Sequence, residues 1–176
     1  MEATEELKEH AEHAREPFDK RVAATMAIIA AALALVSVIG HIATTEELLL
    51  QQKASDQWSY YQAKNIRRYE SEIARDILKS MNSAGAAQQV DAYKANAERY
   101  RKESDDISKE ATGLENESHL RGHQALRLHV GEVFLEIALV FASLAILTKR
   151  PILYWTAVTG GAVGAVIACT TVLIHA

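Results

Sequence analysis

A chain of 176 residues is long enough for one ordinary domain, and a net charge of -4 gives no basic excess to point to nucleic acid. Two prolines and 6% aromatic residues are poor material for a β-sandwich or barrel and favour long helices. Cys169 is the only cysteine, which excludes an internal disulfide and a cysteine-based zinc site; its apolar neighbours place it in a buried run. The mean hydropathy of -0.07 hides a segregation. Apolar residues gather in three blocks, and charged residues fill the span between the first two.

Residues 1–19 form an amphipathic segment rich in acid, from Glu2 to Asp19, with His10 and His13 three apart. A secretory n-region is short and basic, so the apolar block that follows is read as an anchor and not as a cleaved leader. That block, within residues 20–43, holds no Asp, Glu, Lys or Arg from Val22 to Ala43. At about 1.5 Å per residue it reaches ~33 Å, enough to span a bilayer core. It predicts the first transmembrane helix. Its alanines (Ala23, Ala27, Ala30, Ala31, Ala34) allow close helix contact, within one subunit or between subunits.

Residues 44–128 contain no proline, and the polar cluster MNSAG lies near their midpoint. Two antiparallel arms meeting at a turn near 82–85 follow. On the outgoing arm Trp58, Gln62, Ile66, Tyr69, Ile73, Ile77 and Met81 are mostly four apart and predict an irregular seam. On the return arm Val90, Tyr93, Ala97, Tyr100, Ser104, Ile107, Ala111, Leu114, Ser118, Arg121, Ala125, Leu128, Glu132 and Leu135 alternate spacings of three and four. That is a heptad seam, which predicts a coiled coil. No break separates either arm from its apolar block, so two very long helices are expected, over 20–81 and 86–148. A stalk of about 60 Å would result.

The second transmembrane helix is predicted over 129–148, and the third over 151–175. Pro151 suits a first helical position, and Tyr154 with Trp155 suits an interfacial belt. Gly160 and Gly164 again permit close packing. Lys20 and Arg21, and Lys149 and Arg150, are short basic flanks that favour the cytoplasm. The N-terminus is then cytoplasmic and the 44–128 hairpin periplasmic, in a bacterial inner membrane.

The run QQKASDQWSYYQAKNIR, 51–67, after an alanine-rich apolar helix, resembles a bacterial family of small membrane proteins known as domain-of-unknown-function family 4337. So do the SLAILTKRP turn and the apolar C-terminal block. The resemblance covers nearly the whole chain. It implies a three-helix membrane protein with a helical insert, and it implies no activity.

Three groups of side chains are candidates for function. Asp56, Trp58, Tyr60, Tyr61, Gln62 and Lys64 place amphipathic groups on one and a half turns, as a docking or headgroup surface or as packing above the membrane. His119 and His123 are four apart with Glu115 one turn before, a weak metal-binding pattern. His129, Glu132 and Glu136 share a helix face inside the second apolar block, with His41 at the end of the first. A carboxylate at membrane depth faces protein or water, so this face is either a structural pairing (Glu136 with His41 or Ser37) or, in a ring of copies, a cation or proton path. There is no GxSxG, P-loop, glycine-rich nucleotide turn or Cys–His pair, so no enzyme and no cofactor are expected. The sequence therefore predicts an all-α protein with three transmembrane helices and a long extramembrane antiparallel coiled-coil hairpin between the first and second. Its expected partners are the lipid bilayer, further copies of itself and an unidentified membrane-complex component, without nucleic acid. Its expected role is a homo-oligomeric scaffold, with a cation or proton pathway as the alternative.

Overall fold

The computed structural model describes residues 17–81 and 85–171. The His10–His13 pair, the rest of the segment before Pro17, most of the interhelical turn and the residues after Thr171 lie outside them. Among the described residues the chain is all-helical: α1 runs Pro17–Met81, α2 Ala86–Thr148 and α3 Pro151–Cys169. Each contains a stretch long and apolar enough to cross a membrane, by length and composition. Two single helices of 65 and 63 residues match the uninterrupted sequence, which has no proline to break them. Gly85, just before α2, has φ of 105°, a conformation glycine adopts without a Cβ clash. The third helix ends earlier than expected, passing into a 3₁₀ turn at Thr170 and Thr171.

The chain divides into two units. One comprises the described residues through Thr44 and from Gly122 onward. The other is Thr45–Arg121.

In the first unit, α1, α2 and α3 pack in layers. Val22, Ala142, Ala145 and Ala157 form one layer, with Phe18, Met26, Phe141 and Tyr154 against it. Ile29, Leu135 and Ala138 form the next, and Ala43, Ala125, Leu128 and Ala168 another. Small residues let the backbones approach. A Cβ on Gly131 would stand 2.8 Å from the Gly164 carbonyl oxygen, and one on Gly164 2.8 Å from that of Gly131. Neither position accepts a side chain unless α2 and α3 move apart. Gly160, flagged by the sequence, is less confined: a Cβ there would be in ordinary contact with Ala138, at 3.7 Å. The link between α2 and α3 is as tight as the sequence suggests. Lys149 takes the left-handed conformation that often ends a helix (φ 53°) and pairs with Asp19 in the first turn of α1. Pro151 opens α3.

In the second unit, the outgoing part of α1 lies along the returning part of α2. On α2 the buried residues fall where the heptad pattern puts them: Ala97, Ser104, Ile107, Ala111 and Ser118. Tyr93 departs from that pattern and is exposed. On α1 the expected seam holds at Trp58, which bonds to Glu115 of α2, and fails from Gln62 onward. Ile66, Tyr69, Ile73, Ile77 and Met81 are all more than half exposed. The inward positions are instead Glu47, Leu50, Ala54, Gln57, Tyr61, Lys64, Arg68, Ser71, Arg75 and Leu78, spaced alternately three and four apart. The physical reason is size. Facing positions on α2 are mostly alanine and serine, so the helices come close together. Ala54 and Ser71 fit that gap, and the long Lys64 and Arg68 side chains lie along it with their charges at the edge. Isoleucine at the same points would hold the helices apart.

Candidate functional site

The acidic face of α2 divides into two environments. At its first turn, Thr44 of α1 donates its hydroxyl proton to the Gly40 carbonyl at 3.0 Å. The same oxygen lies 3.1 Å from His129 Nε2. The other ring nitrogen, Nδ1, is 3.1 Å from Glu132 Oε2. A ring protonated at Nδ1 donates to the Glu132 carboxylate there. Ser37 lies close to Glu132. The His41 ring completes the group, 6.3 Å from His129 between centroids. Gly40 packs beside the His129 ring, where a Cβ would be in ordinary contact at 3.5 Å.

Glu136 is not part of this group. It is exposed, and among the described residues it makes no hydrogen bond or ion pair. Its neighbours on the outer surface of α2 are Val133, Ile137 and Val140, all about half exposed. The structure thus brings His41, His129 and Glu132 together and leaves Glu136 outside; Ser37 serves Glu132, one turn earlier than the expected pairing with Glu136. Thr44 was missed by sequence reasoning. Its one signal was position, a threonine three residues after His41 at the end of the first apolar block.

The aromatic run of α1 divides in the same way. Trp58 Nε1 donates to Glu115 Oε1 at 2.8 Å, and Tyr61 meets the Trp58 ring edge-on at 5.4 Å. Lys64 Nζ donates to Glu103 Oε2 at 2.6 Å and stands 5.1 Å and 5.6 Å from the Tyr60 and Tyr100 ring centroids. That hydrogen bond, first among the causes, raises the Lys64 pKa and lowers that of Glu103. Three of the six candidates, Trp58, Tyr61 and Lys64, therefore turn toward α2. Asp56 accepts from Gln52 at 3.0 Å on its own helix, and Tyr60 and Gln62 face outward. A cavity of about 430 Å³ opens beside Trp58 and Glu115, bounded also by Gln51, Ser55 and His119.

His119 and His123 are both exposed, and Glu115 is held by Trp58. Among the described residues no three His, Cys, Asp or Glu side chains stand together as a metal site would require. Cys169, expected to be buried, is exposed.

These features define an all-α protein in which three helices bear apolar stretches and a hydrogen-bonded histidine–glutamate group closes the end of one of them. The chain belongs to the domain of unknown function DUF4337, matched over residues 18–174. No curated protein and no solved structure matches it.

Proposed function

We propose that the protein is an integral membrane scaffold that assembles as a homo-oligomer, with the Thr45–Arg121 hairpin outside the bilayer joining copies to one another or to a partner. The observation that carries this reading is Glu136. It is a carboxylate without a partner among the described residues, on an exposed and otherwise apolar face of a helix that fits a bilayer. Facing lipid, an acidic residue near a helix centre costs about 2.5–3.5 kcal/mol, and a neighbouring helix removes that cost. The alanines of α1 support the same reading. Ala23, Ala27, Ala30, Ala31 and Ala34 are all exposed, so their close-packing surface is not used within one copy. The basic flanks at Lys20–Arg21 and Lys149–Arg150 favour a cytoplasmic N-terminus, which places the hairpin on the far side of a bacterial inner membrane.

A second reading is a cation or proton pathway. It is favoured by the hydrogen bond between His129 and Glu132 and by Glu136 one turn further along α2. Two variants of the full chain in lipid nanodiscs and liposomes separate the readings. For a scaffold, Glu136→Leu lowers the oligomer mass, and Glu136→Gln leaves ion flux at the background level. For a pathway, Glu136→Gln keeps the mass and cuts cation or proton flux at least tenfold. A monomeric wild-type protein in nanodiscs overturns the scaffold reading.

A further inference from the structure

The exposed stripe Ile66, Tyr69, Ile73, Ile77 and Met81 is an apolar face of the hairpin unit that the hairpin does not use. These five side chains are 59%, 54%, 59%, 54% and 67% exposed. Spacings of three and four keep them within about a third of the helix circumference. Leaving such a stripe in water is unfavourable, and a stripe this continuous marks a contact surface.

We propose that this stripe is the surface through which the hairpin of one copy docks on the hairpin of a second copy. This deepens the assembly reading by naming the interface, and it rests on that reading. Two observations select a second copy as occupant. The first is charge. A symmetric contact brings a patch against itself, so a rim of one sign would repel its own image. The exposed rim here is mixed, with Arg67 and Lys79 balanced by Glu70 and Asp76. An acidic or basic partner would find no field to follow, whereas a second copy meets no repulsion.

The second observation is area. At roughly 100 Å² for each side chain, the stripe offers about 500 Å² per copy, or about 1,000 Å² in a pair. That reaches the lower bound for a specific interface before any flanking residue is counted. A groove of about 560 Å³ beside the stripe, between Ala74, Ile77 and Leu78 of α1 and Gln89, Ala92 and Tyr93 of α2, can receive a protruding side chain. Self-docking there would bury the apolar groups that the small-residue seam excludes from the hairpin itself.

The test uses the full chain with Cys169→Ser as background, in nanodiscs. Ile73→Cys is compared with Asp105→Cys, which lies exposed on the other helix of the hairpin. The expected result is rapid disulfide dimerisation of the Ile73→Cys protein and at least tenfold slower dimerisation of the Asp105→Cys protein. Ile73→Asp should lower the oligomer mass while keeping full helix content. If the protein is oligomeric, the two cysteines react equally slowly and Ile73→Asp leaves the mass unchanged, the stripe is not the interface and the scaffold reading stands. If Ile73→Cys in native membranes couples instead to a different protein, the occupant is wrong. A monomeric wild-type chain removes both proposals together.

Discussion

The unit built from α1, α2 and α3 and the Thr45–Arg121 hairpin solve the same packing problem in opposite ways. The first buries apolar residues together with small ones: Ile29, Leu135 and Val22 interleave with Ala138, Ala142 and Ala145. Its helices touch at Gly131 and Gly164, backbone against backbone. The hairpin buries alanine, serine, charged stems and Ile107, and turns Ile66, Ile73 and Ile77 of α1 outward. Both units leave apolar residues exposed, but in the hairpin the exposed Ile66, Ile73 and Ile77 stand beside a seam of alanine, serine and charged stems. The contrast shows that closeness of approach, and not hydrophobicity alone, decides which residues line a helix seam.

The largest effect expected from testing this contrast is at the glycine contact. Gly164→Leu places a side chain where a Cβ already meets Gly131 oxygen at 2.8 Å and Phe134 Cβ at 2.9 Å. Thermal unfolding followed by circular dichroism in detergent should show a loss of about 3 kcal/mol or more. Gly113→Ala is the control, because nothing lies within 4 Å of its Cβ position; it should stabilise α2 by about 0.5–1 kcal/mol. Equal effects at the two glycines would refute the close approach.

Next comes the seam of the hairpin. Ile107 is 8% exposed, and Leu114 is half-buried one heptad on. Changing both to Asp buries carboxylates without partners and should splay the hairpin, at about 3 kcal/mol. Crosslinking between α1 and α2 should be lost with it. Unchanged helix content and crosslinking would remove the seam from the account.

A smaller effect belongs to the Trp58–Glu115 hydrogen bond. Trp58→Phe keeps an aromatic ring, smaller than the indole, and deletes the donor, leaving a part-buried carboxylate short of one partner. The expected cost is about 1–2 kcal/mol in thermal unfolding, and Glu115→Gln on top of Trp58→Phe should add little.

The smallest effect is electrostatic. The Glu103 pKa is depressed, so its contribution is present above the ordinary carboxylate value of 4.5 and is lost as pH falls through the folded value. The Lys64 pKa is raised, so its contribution is present below 10.5 and is lost as pH rises through the folded value. Hairpin stability should be flat between about pH 5 and pH 10 and fall on both sides, and Lys64→Met should flatten both shoulders. Because the pair is solvated, the change should be slight and screened by salt.

The sequence by itself determined the element order and nearly all the helix limits. Proline-free runs, Pro151 at a helix start and the Gly85 turn are local signals, and local signals set helix ends. It also determined the buried face of α2, because a strict alternation of three and four leaves one solution for which residues turn inward. The buried face of α1 was decided only by tertiary structure. Its apolar residues lie one way and its small residues another, and the choice between them depends on how near α2 comes. That distance is set by Ala97, Ser104, Ala111 and Ser118 on the other helix. The same holds for the acidic face. Spacing put His129, Glu132 and Glu136 on one side of α2, but only the position of α1 separated them. Thr44 and Ser37 reach Glu132's turn, and no described group of α1 or α3 reaches Glu136.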